Sequence, residues 1–358
     1  MGWTVCQLLK DNIDNIGMGI DIKQLAAGLG VSASTVSRAL NGYTDIKAET
    51  RERIVKRANE LNYRPNLGAQ RLAKGRADAV GIVYPLDNDY VGNPKFLEMV
   101  SAFSARLETN GIYVLLAASH DSNEMATYDR LVRGGRVDAI LLANTKVHDP
   151  RIDFLLQAGI PFLCYGRSGR RMDFPWFDFD NEAGSRMAVE HLAALGHKHI
   201  AYIHTALEFN FAQQRHTGFV SAMKRLGLHV GGDTVVQGSQ DRRSGYAAVE
   251  KLLQLPQRPS AILVDNNIGG VGVIHALLNA GVVLGRDVSV VVDGGKPTDT
   301  LLHQIDVAAV LQPTPAASGK TMAEMLLKLI EGSLPVEGRH VLMQPRFVEG
   351  KSIGPVRG

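Results

Sequence analysis

Apolar residues in the first part of the chain recur every three or four positions, which is the spacing of one face of a helix. The first series predicts a short helix and consists of Ile22, Leu25, Ala26 and Leu29. Asp21 stands at the N-cap of this helix, and Gln24 three residues later completes a capping box. Gly28 and Gly30 then supply a turn.

A second and a third helix follow this turn. Ser32 can cap the second helix, Val36 and Leu40 form its buried stripe, and Gly42 can end it. The third helix is predicted over about 48–61, with inward positions Ile54, Val55, Ala58 and Leu61. Two short helices joined by a tight turn and followed by a third helix predict a helix-turn-helix, whose second helix enters the major groove of DNA.

Beyond Asp78 the period changes. Short apolar runs such as AVGIVYP, IYVLLAAS and VDAILLAN alternate with helical stretches, and this βαβ pattern is typical of parallel sheets. A second series begins near Asn181 and continues to the run VSVVVDG. The two series predict two doubly wound α/β subdomains with a ligand cleft between them.

These patterns predict the domain organisation. Residues 1–18 are an extension that we expect to be disordered, 19–64 the helix-turn-helix domain and 78–358 the α/β core, and the family resemblance described below implies that 65–77 are a hinge helix and linker. Within the core, the N-subdomain is assigned about 78–178 and 294–313, and the C-subdomain about 179–293 and 314–358. The last part includes a helix at about 316–331 and a short strand in HVLMQP.

The chain carries a net charge of +3, but its positive charge is concentrated near one end. Residues 18–77 contain 11 Lys or Arg and 5 Asp or Glu, whereas residues 78–358 contain 27 Lys or Arg and 29 Asp or Glu. A basic first domain fits a partner rich in phosphate. This charge disfavours the alternative that the three helices are an ordinary bundle with a charged surface.

The sequence disfavours membrane and secreted classes. No apolar run reaches 18 residues, and residues 1–17 lack the pattern of a signal peptide, so we expect a cytoplasmic protein. Met18 is a candidate for the natural start. Cys6 and Cys164 offer no disulfide framework, and Cys164 falls in a predicted strand, as a core residue would.

The motifs VSASTVSRALNG, TRERI, ANELNYRPN and AQRLA follow one another between residues 31 and 73. Their order and spacing resemble the DNA-binding region of the LacI family of bacterial transcription regulators, and a looser likeness extends through nearly the whole chain. The resemblance implies a homodimeric, nucleoid-associated regulator of a near-palindromic operator. It also implies that the core serves effector binding and dimerisation.

The resemblance places the base-contacting side chains on the second helix. Ala33 and Ser34 hold the family's main base-contacting positions, but neither side chain is large enough for a bidentate contact. We therefore expect Arg38 to contact a guanine edge, with a phosphate contact as the alternative. The other implied DNA-binding residues of this domain are Lys23, Ser32, Thr35, Ser37, Asn41, Thr50 and Tyr63.

Residues 62–73, NYRPNLGAQRLA, resemble the family's hinge. This segment is too short to be a stable helix alone, so we expect DNA to order it. In the family, paired hinge helices push a leucine into the minor groove. Its counterpart is Leu72, with Asn66 and Ala69 also in the interface, and burial at a protein interface is the alternative for Leu72.

Ligands of doubly wound sheets collect at the carboxyl ends of the strands. Arg215 matches a family arginine that grips hydroxyls or carboxylates, and Asn266 matches the asparagine of an Asn-Asp pair whose second member is Asn267 here. Gly294 stands where many sugar-binding members have aspartate. The predicted effector-binding residues are Tyr84, Asp87, Arg167, Trp176, Phe211, Arg215, Asn266 and Asp293.

Aromatic residues near the presumed cleft favour a sugar or oligosaccharide as effector. Flat rings stack on pyranose faces while Arg, Asn and Asp contact hydroxyls. Core packing is the alternative for each aromatic residue, and a surface position is the alternative for Arg167.

Catalytic and metal-binding patterns are weak. ASGKT at 317–321 lacks the first glycine of a P-loop, because Thr314 stands in its place. GGVG at 269–272 lacks the full dinucleotide spacing. His191, His197 and His199 have no carboxylate or cysteine cluster beside them, so we interpret them as surface residues. We expect no enzyme activity, cofactor or metal.

The sequence therefore predicts a repressor of carbohydrate genes that is released from its operator by a sugar-like effector bound between the core subdomains. One alternative is a corepressor-dependent regulator of nucleobase or other metabolism. A sugar-binding protein or a cleft enzyme is less favoured.

Overall fold

The computed structural model describes residues 20–40, 42–63, 75–85, 94–119, 123–169, 173–297, 302 and 304–356. The chain forms two compact units, Met1–Arg76 and Ala77–Gly358. The predicted extension at 1–18 and most of the predicted hinge segment lie outside the described residues.

The first unit contains three helices, α1 Ile22–Leu29, α2 Ala33–Leu40 and α3 Ala48–Glu60. The capping box of α1 is confirmed: the backbone N of Gln24 donates to Asp21 Oδ1 at 2.7 Å, and that of Asp21 to Gln24 Oε1 at 2.9 Å. Ser32 Oγ accepts from the backbone N of Thr35 at 3.1 Å at the start of α2. Lys47 makes no side-chain cap for α3.

The core of the first unit is small. Its buried residues are Leu25, Ala26, Val36, Ala39, Ile54 and Ala58. Val55 was predicted to point inward but is 38% exposed. The reason is geometric, because one residue advances a helix by about 100° and Ile54 and Ala58 already occupy the inner face of α3.

The second unit contains two six-stranded sheets. Its strands are β1 Ala79–Pro85, β2 Tyr113–Ser119, β3 Ala139–Leu142, β4 Phe162–Tyr165, β5 Trp176–Phe179, β6 Ile200–His204, β7 Val235–Gln237, β8 Ala261–Val264, β9 Ser289–Asp293, β10 Ala308–Leu311, β11 His340–Met343 and β12 Arg346–Val348. Its helices are α4 Pro94–Glu108, α5 Glu124–Val132, α6 Pro150–Ala158, α7 Asn181–Ala194, α8 Asn210–Arg225, α9 Arg242–Leu253, α10 Asn267–Asn279 and α11 Pro315–Ile330, with 3-10 turns at Gly232–Thr234 and Val336–Gly338.

The first sheet has the order β11-β5-β4-β3-β1-β2 and is parallel throughout. The second has the order β12-β10-β9-β8-β6-β7 and is parallel except for β12. Helices cover both faces of each sheet, as the buried clusters show, and the two predicted α/β subdomains are confirmed.

The predicted boundary between the subdomains is wrong near the C-terminus. Strand β10 pairs with β9, so this part of 294–313 belongs to the second sheet. Helix α11 packs on α4, and strand β11 pairs with β5. Both elements therefore belong to the subdomain of the first sheet. The two helices pack closely, because a Cβ at Gly319 would overlap the carbonyl oxygen of Met99 on α4. The glycine of the ASGKT motif therefore serves helix packing.

Two other predictions concern single side chains. Cys164 is fully buried, as predicted, and burial raises the pKa of its thiol. His197 was interpreted as a surface residue and is instead only 3% exposed. Its ring nitrogens lie 2.9 Å from Ser260 Oγ and 2.9 Å from Ser289 Oγ, so its polar atoms are satisfied inside the fold.

Within the described ranges, every helix is too short or too polar to cross a membrane.

Candidate functional sites

Helix α2 presents the predicted DNA-binding side chains on one face. Ser32, just before the helix, and Ser34 and Arg38 within it are exposed. Val36 and Ala39 are buried on the opposite face. The half-buried members of the predicted set are Ala33, Thr35 and Ser37. The helix thus offers a polar surface supported by a small apolar core.

Arg38 has two partners within the first unit. Its guanidinium forms a salt bridge with Asp45 and lies 5.5 Å from the ring centroid of Tyr43. The two charged side chains are 52% and 45% exposed, and such pairs contribute at most about 1 kcal/mol. Arg38 is therefore oriented, yet it can exchange Asp45 for an acceptor on another molecule at little cost.

The remaining predicted DNA-binding residues lie on other elements. Lys23 is exposed on α1, and Thr50 is half-buried in the first turn of α3. Tyr63 follows α3, and burial together with the charge of Asp21 raises the pKa of its hydroxyl. Four predicted DNA-binding residues fall outside the described residues, namely Asn41, Asn66, Ala69 and Leu72.

The second unit has a cavity of about 510 Å³ whose wall combines residues of both sheets. The carboxyl ends of the parallel strands face it, as expected for doubly wound sheets. Of the predicted effector residues, those on the wall are Tyr84, Phe211, Arg215 and Asn266. Asp87 lies outside the described residues.

Three predicted effector residues do not lie on the wall. The Nε of Arg167 donates to Asp178 Oδ2 at 2.7 Å, and its guanidinium lies 5.6 Å from the ring centroid of Trp176. Trp176 also stacks on His340, with ring centroids 4.8 Å apart. Asp293 is 2% exposed and lies behind Arg215. These residues support the wall rather than form it.

Arg215 is a buried cation of the cleft. Its Nε donates to Asn181 Oδ1 at 3.1 Å and lies 3.6 Å from Asp293 Oδ2. Its guanidinium also donates to the main-chain oxygen of Asp265 and lies 5.2 Å from the ring centroid of Phe211. Burial opposes its charge, but Asp293 and Asp265 outweigh this effect and raise the pKa of Arg215. The guanidinium is thus held in one orientation by fixed acceptors.

Aromatic rings line both sides of the cleft. On the side of the first sheet, Tyr84 and Phe96 stack with ring centroids 3.8 Å apart at an interplanar angle of 12°. On the side of the second sheet, Phe209 and Phe211 stack with centroids 6.0 Å apart. All four line the cavity, so a bound molecule meets apolar surface from two sides.

Most of the amide side chains on the wall were not predicted from the sequence. The amides on the wall are Asn144, Asn181, Gln240, Asn266, Asn267 and Gln312, and of these only Asn266 was predicted as an effector-binding residue. The side chain of Asn181 accepts from Arg215 and donates to Asp178. Among the described residues, the other five amides make one side-chain hydrogen bond, in which Asn266 Oδ1 accepts from the backbone N of Ile268 at 2.9 Å. Asn144 lies two residues after the end of β3, and Gln312 directly follows β10. Their positions after buried strands were the signal that could have identified them.

Lys95 also went unnoticed in the sequence. It lies in the first turn of α4, and its Nζ donates to the main-chain oxygen of Gly294 at 2.6 Å. Burial and the neighbouring Arg215 lower the pKa of Lys95 to about 8. No motif surrounds this lysine, and it reaches the cleft only because the two subdomains face each other.

The wall can therefore bind a molecule that has apolar faces and many groups that both donate and accept hydrogen bonds. Amides match hydroxyls in this respect. The residues that the structure describes bring together no group of three His, Cys, Asp or Glu suited to a metal.

Comparisons with known proteins cover both units. Residues 21–66 match the family described as bacterial regulatory proteins, lacI family. Residues 77–349 match the family described as periplasmic binding proteins and sugar binding domain of LacI family.

Similar curated proteins are transcription regulators. The chain is 39% identical over 336 residues to the HTH-type transcriptional regulator RafR of Escherichia coli, covering 93% of this chain and 98% of RafR. It is 36% identical over 275 residues to the HTH-type transcriptional regulator AglR of Rhizobium meliloti (strain 1021), covering 76% of this chain and 77% of AglR.

Solved structures show the same architecture. A complex of the transcriptional regulator CelR with cellobiose has a TM-score of 0.70 and 26% identity, covering 93% of this chain and 99% of CelR. The lac repressor dimer bound to operator and the anti-inducer ONPF has a TM-score of 0.81 and 24% identity, covering 94% and 100%. At that identity the second comparison supports the fold alone.

Proposed function

The chain belongs to the LacI family of bacterial regulatory proteins, and on that premise we propose that it represses carbohydrate genes and is released from DNA by a sugar. Like its family and its relatives, it is a DNA-binding transcription regulator and not an enzyme. Repression, the class of genes and the identity of the effector are the parts that we propose. Its place of action would be the cytoplasm, on the DNA of the bacterial nucleoid.

The lining of the cleft is the observation that best supports a sugar as the effector. Stacked aromatic pairs line the cavity on two sides. Of the wall amides, Asn144, Gln240, Asn267 and Gln312 make no side-chain hydrogen bond to any described residue. A pyranose has apolar faces for the rings and hydroxyls for the amides. The cavity of about 510 Å³ falls within the range of small-molecule sites, about 300–1,000 Å³. The CelR relative, whose structure is named as a cellobiose complex, supports the same class.

The first unit supports the DNA part of the proposal. A single recognition helix contacts only a few base pairs, so a homodimer on a near-palindromic operator is expected. Arg38 would contact a guanine edge, and Lys23 and Thr50 would contact phosphates. The hinge residues Asn66, Ala69 and Leu72 lie outside the described residues and are proposed for the minor groove on the family resemblance.

If sugar binding is to change DNA binding, the protein must have two conformational states that differ in their affinity for the sugar. We infer that the sugar favours approach of the two core subdomains, and that this state disfavours operator binding. A ligand that favoured the operator-bound state would act as a corepressor through the same cleft.

The test uses the full chain. Thermal unfolding is followed with a panel of neutral mono-, di- and trisaccharides and of nucleobases, because a ligand at 100 times its Kd stabilises by about 2.7 kcal/mol. The proposal expects a saccharide that raises Tm and weakens binding to the protein's own upstream DNA. A nucleobase that raises Tm and strengthens DNA binding would establish the corepressor alternative instead.

A further inference from the structure

One lysine spans the cleft between the two subdomains. Lys95 belongs to α4 beside the first sheet, whereas its acceptor, the main-chain oxygen of Gly294, directly follows β9 in the second sheet. The Nζ···O distance is 2.6 Å. Lys95 also lines the cavity, so its ammonium can contact a ligand and both subdomains at once.

The residues opposite Lys95 are two glycines, so no side chain projects from the backbone there. Gly294 and Gly295 adopt φ of 84° and 103°, a region that favours glycine. A Cβ at Gly295 would overlap the ammonium of Lys95. Lys95 therefore occupies the volume that a side chain at position 295 would need, and it supplies the polar group of the wall at this point.

Among the described residues, the buried charges of the cleft are balanced. Lys95 and Arg215 are cations, and the buried carboxylates of Asp293 and Asp265 beside Arg215 offset them. Two further cations near the wall pair with carboxylates, Lys296 with Asp306 at 2.7 Å and Arg167 with Asp178 at 2.7 Å. A ligand with a negative charge would leave the cleft with an excess charge at buried positions, which is costly.

We propose that Lys95 is a specificity-determining residue of the cleft that donates to an oxygen of an uncharged saccharide. This inference rests on the proposed sugar effector and adds that sugar acids and sugar phosphates are rejected. Ring and glycosidic oxygens accept hydrogen bonds but cannot donate them. An ammonium, which only donates, suits such an oxygen, whereas the amides suit hydroxyls.

The first experiment measures saccharide affinity by calorimetry on the full chain, using the neutral saccharide that raises Tm most. Lys95→Met keeps the length of the side chain and removes the donor, and a hydrogen bond to a charged group corresponds to an affinity loss of about 10- to 100-fold. Lys95→Arg keeps a charged donor and should retain more affinity than Lys95→Met. Lys320→Met removes the same charge from an exposed position of α11 and should leave affinity unchanged.

A pH series separates direct contact from a structural role. Within the described part of the chain, the charged groups around Lys95 are Glu98 on its own helix, Arg215 on α8 and Asp293 at the end of β9. Because the pKa of Lys95 is lowered to about 8 and an accepting oxygen favours the protonated form, wild-type affinity should fall as pH rises from about 7 to 9. Affinity should be independent of pH in Lys95→Met, and in Lys95→Arg because the guanidinium stays charged.

The outcomes are separable. If Lys95→Met binds within about threefold of wild type, the role assigned to Lys95 is wrong. If a uronic acid or phosphate derivative binds more tightly than its neutral parent, selection of an uncharged ligand is wrong. If wild type binds no saccharide of either kind, the proposed function itself fails, whatever the variants do.

Discussion

The helix-turn-helix unit and the cleft each contain an arginine paired with an aspartate, but in opposite environments. The side chains of Arg38 and Asp45 are 52% and 45% exposed. Those of Arg215 and Asp293 are 7% and 3% exposed. Water can replace either partner of the first pair, whereas the second pair has already lost its water. The exposed arginine can therefore change partners during recognition, and the buried one is a fixed part of a preformed site.

The largest effect should follow from breaking the buried pair. Arg215→Met leaves Asp293 without its cation in a buried place, and removing one partner of such a pair costs about 3–5 kcal/mol. Urea unfolding should show this loss at neutral pH together with loss of saccharide binding. The stability loss should shrink at acid pH, because burial raises the pKa of Asp293 and the neutral carboxyl needs no cation.

Helix α8 provides the control for this experiment. Arg225 lies at its other end and pairs with Glu190, with side chains 57% and 42% exposed. Arg225→Met should change the free energy of unfolding by no more than about 1 kcal/mol. Equal losses for Arg225→Met and Arg215→Met would contradict the distinction between buried and exposed pairs.

A core substitution tests whether one unit can lose its folded structure while the other keeps its own. Leu25 is 1% exposed and packs in the small core beneath α2, and Leu→Ala at such sites costs about 2–5 kcal/mol. Leu25→Ala should abolish operator binding in a gel-shift assay while saccharide affinity is retained. Leu163→Ala in β4, which is also fully buried, should instead lower the stability of the core. Loss of saccharide binding in Leu25→Ala would show that the units do not fold independently.

Much of the first unit could be predicted from sequence because its structure is local. Asp21, Gln24 and Ser32 are caps that act within three residues, and helical spacing identified most of the inner face. The error at Val55 is small, because it is one step around a helix from Ile54. Local hydrogen bonds and helical periodicity depend on neighbours in sequence, so they can be inferred without a fold.

The core could be predicted only in part because its organisation is not local. Strand existence followed from apolar runs, but no property of AAVL in β10 or HVLM in β11 shows which sheet accepts it. The choice depends on pairing with β9 and β5 and on the contact of Gly319 with α4. The same limit applies to Lys95, whose role arises from a backbone oxygen 199 residues away.

The cleft residues divide in the same way. Arg215 and Asn266 were found by resemblance and lie on the wall. Arg167 follows β4 at the carboxyl edge of the sheet, but its side chain bonds to Asp178. Trp176 is at the amino end of β5 and stacks on His340. A position after a strand brings a residue to the right edge of the sheet. The direction of its side chain is decided by packing that the sequence does not show.

Base contact by Arg38 would produce a smaller and more selective effect than the core substitutions. If Arg38 contacts a guanine edge, Arg38→Ala should remove about 1–3 kcal/mol of preference for the operator over a scrambled duplex. Lys23→Ala should weaken binding to both duplexes alike and reduce the salt slope by about 1. Fluorescence anisotropy at several salt concentrations measures both quantities. An equal loss on both duplexes for Arg38→Ala would assign Arg38 to phosphate contact.

The exposed pair itself should give the smallest effect. Asp45→Asn removes the carboxylate that holds Arg38, and the gain in operator binding should stay below about 1 kcal/mol because the pair is exposed. Removal of a negative charge by itself would strengthen binding to every duplex. Glu60→Gln, which breaks the exposed pair with Arg57 at 3.0 Å, measures the size of that general effect. If Arg38 exchanges Asp45 for a base, the gain of Asp45→Asn should favour the operator over a scrambled duplex and should vanish in the Arg38→Ala background. A gain that persists without Arg38 would mean that Asp45 acts only through its charge near phosphate, and the exchange of partners inferred for the exposed pair would then be wrong.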